Sequence, residues 1–203
     1  MSSKRSVFIE LSAIAAIYRD ENGGAAWGDN PVAIIPRRGA LHMVATIADA
    51  GHPLFVFSAG SPPFLKWAAE NLHIPVGSRS LISLQAPPTR EGMQSAAGIP
   101  PDAHPNTLRA HGPLVVGTQR YPRNLAEFHE SAAGKISAIL GTPLSNYINV
   151  GPAPHLITVP ESTQLSLGAV RLQNALAIEF PQRGRDHEIR IPRPDMTVEA
   201  PAR

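Results

Sequence analysis

The stretch Ser6-Val7-Phe8-Ile9-Glu10-Leu11-Ser12 is a short apolar run in which a carboxylate and a hydroxyl stand at the end. A run of this length and character is typical of a buried strand in a parallel sheet. The carboxyl ends of parallel strands meet at one edge of the sheet, where α/β proteins bind their ligands. Glu10 and Ser12 are therefore the first candidate site residues.

Two later apolar runs have the same character, and each ends in small or polar residues. They are Leu54-Phe55-Val56-Phe57, followed by Ser58, and Tyr147-Ile148-Asn149-Val150, followed by Gly151. Apolar residues at helical spacing lie between and after the first two runs. Strands that alternate with helices predict an α/β domain with a central, mostly parallel sheet.

The composition predicts one domain with a long loop and an extension. The chain has 203 residues, of which 43% are hydrophobic, only 17% are charged and 21 are proline. We expect an α/β domain over residues 1–180, interrupted by an irregular Pro-rich excursion at 86–113, and an extended C-terminal tail over 181–203. Because neither the excursion nor the tail has a periodic apolar face, both are predicted to bind protein partners.

Several function classes are disfavoured by the composition. A formal net charge of +2 without a long basic run gives no case for nucleic acid, and no apolar run is long enough for a transmembrane helix. The chain has no cysteine, and its eight histidines form none of the familiar metal-binding pairs. The sequence therefore predicts no metal, no cofactor and no nucleic-acid partner.

Three groups of motifs carry a resemblance to the haloacid-dehalogenase-like (HAD-like) superfamily. More narrowly, they resemble its branch of carboxy-terminal-domain phosphatases and NLI-interacting-factor proteins. The groups, which span roughly residues 6–162, are Phe8-Ile9-Glu10-Leu11-Ser12; Pro36-Arg37-Arg38-Gly39 with Phe55-Val56-Phe57-Ser58; and Tyr121-Pro122-Arg123-Asn124-Leu125 with Ile148-Asn149-Val150-Gly151. The resemblance implies a three-layer HAD-like (Rossmannoid) fold.

The chemistry of that family depends on residues that this chain has replaced. The resemblance places Glu10 and Ser12 where the phosphatases have the two aspartates of Asp-x-Asp, and Gly151 where they have another carboxylate. Arg123 stands near the usual lysine, and Ser58 where a Ser or Thr holds phosphate. A glutamate is longer than aspartate by one methylene, and a serine hydroxyl is a poor general acid. The resemblance thus implies no catalytic residues and five vestigial positions.

The expected function is that of a catalytically inactive HAD-like domain, a structural or protein-binding subunit of a larger assembly. An Mg²⁺-dependent phosphatase with atypical motifs is one alternative. A peptide receptor is another, because the branch includes the presequence receptor of the mitochondrial inner-membrane translocase, whose first strand can end in Glu-Leu-Thr. The resemblance favours a mitochondrial location over a cytoplasmic one. Glu10, Ser58 and Arg123 also have purely structural interpretations, as a paired strand-end carboxylate, a turn cap and a surface residue.

Overall fold

The computed structural model describes residues 4–18, 33–37, 39–118, 125–150, 166–180 and 191–192. Its strands are β1 (Val7–Glu10), β2 (Ala15–Tyr18), β3 (Ala33–Pro36), β4 (Leu54–Ser58), β5 (Leu81–Ser83), β6 (Leu114–Gly117), β7 (Tyr147–Asn149) and β8 (Ile191–Pro192). Its α-helices are α1 (Leu11–Ile14), α2 (Ala40–Asp49), α3 (Pro62–Asn71), α4 (Arg90–Ala96), α5 (Pro105–His111), α6 (Leu125–Glu130), α7 (Ala132–Leu140) and α8 (Leu167–Leu176). Short 3₁₀ turns at Ser78–Ser80 and Leu144–Asn146 precede β5 and β7.

The central sheet has five strands in the order β5-β4-β1-β6-β7, and every neighbouring pair is parallel. The chain starts in the middle at β1, adds β4 and β5 on one side, and then returns to add β6 and β7 on the other. The order therefore reverses beside β1, which is the topological switch point of a doubly wound sheet.

Alternating side chains of β1 divide the core into two apolar layers. Val7 and Ile9 face one layer, which is covered by α2, α3 and α8, whereas Phe8 faces a second layer covered by α4, α6 and α7. Phe8 also stacks on Phe55 of β4 with ring centroids 4.4 Å apart. Burying each such side chain stabilises the fold by roughly 1.5–3 kcal/mol. The predicted three-layer, Rossmannoid α/β fold with a parallel central sheet is confirmed.

A second, antiparallel sheet lies beyond the carboxyl end of β1. After the single turn of α1 the chain enters β2, which pairs with β3, and β3 pairs in turn with β8. Ile191 of β8 stands opposite Ile34 of β3, so part of the predicted tail is extended and pairs with its own domain. The rest of residues 181–203 lies outside the described residues, and the domain boundary near residue 180 stays a prediction.

The prediction of an irregular excursion over 86–113 is wrong in one respect, because this segment contains α4 and α5. Each helix is capped: Thr89 Oγ1 accepts a hydrogen bond from the Gly92 N–H at 3.2 Å, and Pro105 occupies the first turn of α5. Met93 and Ile99 are buried in the second core layer. The excursion thus has a small apolar face of its own, although most of its residues are exposed.

The apolar spacing over residues 125–140 predicts one helix, but two are observed. Ser131 interrupts them, because its hydroxyl donates to the Phe128 carbonyl oxygen at 2.6 Å and accepts from the Gly134 N–H at 2.9 Å. That arrangement ends α6 and caps α7 at the same residue. Phe128 and Ile136 remain buried, so the break does not change the face that packs on the sheet.

Candidate functional site: the carboxyl edge of the sheet

The carboxyl ends of the parallel strands bring several polar residues to one edge. Glu10 ends β1 and Ser58 ends β4, while Thr118 directly follows β6. Glu10 is in register with Phe57, one residue before Ser58. Because β1 lies between β4 and β6, these residues surround the switch point at which doubly wound folds bind ligands. This edge is therefore the candidate site.

Glu10 has the most unusual environment at this edge. Its side chain is 9% exposed, and its Oε2 atom has no hydrogen-bond partner among the described residues. Burial raises the pKa of the Glu10 carboxyl above its ordinary value, and this outweighs the opposing effects of a Ser12 hydrogen bond, the Thr118 backbone N–H and the charge of Arg37. The environment thus favours the neutral carboxylic acid more than water does.

Ser12, Thr118 and Arg37 form a hydrogen-bonded frame around Glu10. The single turn of α1 carries Ser12 to the neighbouring strand, where its Oγ lies 3.1 Å from Thr118 Oγ1. Arg37 Nε–H donates to the Ser12 carbonyl oxygen at 2.6 Å, which ties the residue after β3 to the end of β1. Ser12 thus contacts both of the other residues that flank Glu10, Thr118 through its hydroxyl and Arg37 through its carbonyl oxygen.

Ser58 organises a turn on the other side of β1. It is fully buried, and its Oγ accepts a hydrogen bond from the Gly60 N–H at 3.0 Å. Ser83 Oγ–H, at the end of the adjacent strand, donates to the Gly60 carbonyl oxygen at 2.6 Å. The two serines therefore fix both backbone polar groups of Gly60, which agrees with the structural interpretation of Ser58 as a turn cap.

The edge is closely packed beside β6. A Cβ atom placed on Gly117 would lie 2.8 Å from Glu10 Oε2 and 3.1 Å from the Tyr147 hydroxyl oxygen. The Tyr147 ring is itself held against Phe128, with ring centroids 5.0 Å apart. A side chain at this position would require the Glu10 carboxyl group to shift, so Gly117 allows the carboxyl group and the phenol to border the same small volume.

Three of the five predicted positions meet at this edge, and two cannot be placed. Glu10, Ser12 and Ser58 lie together at the strand ends. Arg123 and Gly151 lie outside the described residues, so their predicted positions stay untested. Sequence reasoning gave no site role to Thr118 or Arg37. The sequence does contain a signal for Thr118: it follows the apolar run of β6, just as Ser58 follows the apolar run of β4.

Cation ligands are sparse in the described parts of the chain. Within those ranges, no group of three or more His, Cys, Asp or Glu side chains is close enough to hold a metal ion. Over the same ranges, no helix combines the length and apolar character that crossing a bilayer requires. Glu10 is the one carboxylate found at the described strand ends of this edge.

Comparisons with known proteins do not assign this chain to a family. No protein-family model and no curated protein matches the sequence. One matching solved structure is described as a "putative p-nitrophenyl phosphatase" from Bacillus subtilis, with 14% identity over 88% of this chain and 68% of that chain and a TM-score of 0.26. A superposition this poor gives the chain neither an activity nor a substrate, so the functional argument depends on the site itself.

Proposed function

We propose that this chain is a HAD-like domain of the NLI-interacting-factor branch that has lost phosphoryl-transfer chemistry. It serves as a structural or protein-binding subunit of a larger assembly, with the mitochondrion as the expected compartment. One observation carries the proposal. The only carboxyl group at the described part of the candidate site is buried, its Oε2 atom has no hydrogen-bond partner among the described residues, and burial raises its pKa.

A carboxyl group whose ionised form is penalised by burial is poorly suited to both steps of metal-assisted phosphoryl transfer. An attacking carboxylate must be ionised, and Mg²⁺ binds ionised oxygen ligands in an octahedral arrangement. Burial penalises the ionised form of Glu10. The Ser12 hydroxyl lies within hydrogen-bond distance of Thr118 Oγ1. Most polar groups at this edge are therefore bonded to one another, which supports the loss of phosphoryl-transfer chemistry.

The protein-binding part of the proposal depends on the surface of the excursion. From 85 to 112 most residues are exposed, and only a few, among them Met93 and Ile99, are anchored in the core. Two short capped helices hold this surface in a defined shape, which lowers the entropy lost on binding. We therefore assign the partner contact to residues 86–113, together with the tail at 181–203.

A phosphatase assay tests the catalytic half of the proposal. Purified full-length protein is incubated with an aryl phosphate and Mg²⁺, beside Glu10→Gln and a matched Glu130→Gln control on the exposed end of α6. We expect the same background rate from all three proteins. A Mg²⁺-dependent rate that Glu10→Gln abolishes and Glu130→Gln preserves would establish the alternative, an active phosphatase with atypical motifs.

Native co-purification tests the binding half. We expect the tagged full-length chain to migrate within a large assembly, and a chain lacking residues 181–203 to stay folded but to be released. Migration of the full-length chain as a free monomer contradicts the subunit role. Unfolding of the truncated chain would instead indicate that β8, which pairs with β3, is needed for the stability of its own domain.

A further inference from the structure

A cavity of about 370 Å³ opens on the surface of the segment that joins β5 to β6. It lies between one face of α4 and the turn that follows this helix. Its described lining residues include Glu91, Gln94, Gly98, Ile99, Pro100 and Pro101. All of them belong to the unbroken described range 39–118, so the cavity is a feature of the excursion at 86–113.

The turn after α4 fixes the floor of the cavity. Gly98 has a φ of 70°, and its N–H donates to the Ser95 carbonyl oxygen at 3.0 Å. The Ile99 N–H donates to the Gln94 carbonyl oxygen at 2.8 Å, which completes the Schellman arrangement of a helix that ends at a left-handed glycine. Ile99 is itself 8% exposed and packs in the second core layer, so the floor is anchored to the domain.

Hydrogen bonds also hold the two walls in place. On the helix side, Gln94 Nε2 donates to the Leu140 carbonyl oxygen of α7 at 3.2 Å. On the other side, the Ala103 N–H donates to the Pro100 carbonyl oxygen at 3.1 Å, which closes a turn through Pro101. The proline rings fix their own φ angles in that turn. The cavity therefore has its shape before any ligand enters, which lowers the entropy lost on binding.

The two walls differ in chemistry. Pro100 and Pro101 are both exposed, so their rings present apolar surface to the solvent. Glu91, in the first turn of α4, is also exposed and brings a carboxylate that accepts hydrogen bonds. Proline rings pack well against aromatic side chains, as in the recognition of Pro-rich segments. Tryptophan fits both walls, because it has a large apolar ring and an N–H that needs an acceptor when it is buried.

We propose that this cavity receives a tryptophan side chain exposed by the partner protein, which rests on the partner contact that the proposed function assigns to residues 86–113. The indole ring packs on Pro100 and Pro101, and its N–H donates to the Glu91 carboxylate. Tryptophan is among the residues that carry most of the binding energy at interfaces, where such anchors fill preformed pockets. The cavity volume is at the low end for ligand pockets, which suits one large side chain. Arg90 is exposed beside Glu91, so this surface carries both signs of charge and does not select a strongly cationic segment.

NMR titration of the ¹⁵N-labelled full-length chain with N-acetyltryptophanamide tests the contact. We expect saturable shifts of the Gln94, Gly98 and Ile99 amides, with a dissociation constant on the order of 1 mM or tighter. Glu91→Ala should weaken binding by about fivefold through the lost acceptor, whereas Glu130→Ala, on the exposed end of α6, should leave the affinity unchanged. N-acetylphenylalaninamide lacks the donor, so it should bind wild type about fivefold more weakly and should bind Glu91→Ala equally well.

Three outcomes of the titration overturn the proposal. The first is the absence of saturable shifts at the cavity. The second is equal affinity for the tryptophan and phenylalanine derivatives, since the Glu91 carboxylate would then have no role. The third is tighter binding of N-acetylargininamide, which would identify a basic segment as the ligand.

Native co-purification distinguishes this contact from the subunit role itself. We expect full-length Glu91→Lys to be released from the assembly and the matched Glu130→Lys to be retained. Both residues are exposed, so neither change should disturb folding. Retention of Glu91→Lys at full occupancy overturns the tryptophan contact alone. Migration of the wild-type chain as a free monomer overturns the subunit role and the tryptophan contact together.

Discussion

Glu10 and Arg5 lie at the two ends of β1, and their surroundings differ in kind. Glu10 is enclosed by a hydrogen-bonded frame, with Gly117 and Tyr147 against its Oε2 atom. Arg5 lines a cavity whose described walls also include Arg109 and Arg171. The carboxyl edge has satisfied most of its polar groups internally, whereas the amino edge has a cavity lined by three arginines.

The contrast shows that the edge expected from topology to bind ligands can be packed onto itself, while three arginines line a cavity at the other edge. The switch point beside β1 predicts a ligand site at the carboxyl edge. There, however, the short side chain of Ser12 and the absent side chain of Gly117 have let the chain pack onto itself. Helix α8 connects the two edges, since Gly168 contacts the end of β7 and Arg171 lines the cavity.

The largest effect is expected at the start of α8, where the two edges are coupled. A Cβ atom on Gly168 would lie 2.4 Å from the Asn149 carbonyl oxygen, and a backbone atom cannot turn aside. We expect Gly168→Ala to lower the free energy of unfolding by about 3 kcal/mol through overpacking, measured by urea denaturation.

Gly92→Ala in α4 is the matched control for that prediction. There a Cβ atom would meet only the Thr89 side-chain oxygen, at 3.1 Å, on an exposed helix. The higher helix propensity of alanine should offset this contact, so the change should stay within about 0.5 kcal/mol. Equal destabilisation by both variants would contradict the close packing of α8 on β7.

The next largest effect on the free energy of unfolding is expected from replacing a buried serine at the carboxyl edge, compared with an exposed serine at the amino edge. Ser58→Ala leaves the Gly60 N–H without its acceptor, so we expect a loss of about 2 kcal/mol in the free energy of unfolding. Ser145→Ala at the amino edge should cost less than about 0.5 kcal/mol, since Ser145 is exposed. Equal costs for the two variants would remove the contrast between a closed and an open edge.

Glu10→Gln should stabilise the protein at neutral pH. Because burial raises the pKa of Glu10, the folded state binds its proton more tightly than the unfolded state does. The wild-type free energy of unfolding therefore declines as pH rises from the ordinary glutamate pKa to the raised value, and then levels off. The variant lacks this decline and should be more stable by on the order of 1 kcal/mol at neutral pH.

Thermal denaturation at a series of pH values measures this difference. The two curves should approach each other at acid pH, where the wild-type carboxyl is protonated in both states. The stability of Glu130→Gln, a change at an exposed site, should follow that of wild type at every pH. If Glu10→Gln is less stable at neutral pH, the ionised carboxylate is stabilising and a raised pKa for Glu10 is wrong.

The smallest expected effect concerns the frame around Glu10. Ser12 Oγ and Thr118 Oγ1 are 3.1 Å apart, so a double-mutant cycle of Ser12→Ala and Thr118→Val should give a coupling of about 0.5–1 kcal/mol. The coupling is measured by urea denaturation of the two single variants and the double variant. A coupling near zero would indicate that the two hydroxyls are solvated separately, and that the edge is more open than described.

The sheet was predictable from the sequence because its strands are short apolar runs that end in polar or small residues. The same logic placed Glu10 and Ser58 at one edge. The helices at 90–96 and 105–111 were not predicted, because the many prolines and weak apolar periodicity of residues 86–113 indicate an irregular chain, although Pro105 starts α5. Their caps, Thr89 and His104, are local signals that the high proline content obscured.

The burial of Glu10 and the arginine cavity were not predictable from local pattern. Glu10 is enclosed because Gly117 and Tyr147, from strands more than 100 positions away, pack against it. Arg5, Arg109 and Arg171 have unremarkable neighbours in sequence and meet only through the order of β1, β6 and β7. Both features depend on long-range packing, which the periodicity of one segment does not encode.

The state of the Glu10 carboxyl is the central claim, and its NMR titration tests that claim most directly. The protein is labelled with ¹³C-glutamate, Glu10→Gln assigns the resonance, and the titration is repeated with Mg²⁺ present. The account predicts a titration midpoint above the ordinary range of glutamate and no displacement by Mg²⁺. A midpoint at or below the ordinary value, or a resonance that shifts with Mg²⁺, would contradict it and favour a metal-dependent enzyme.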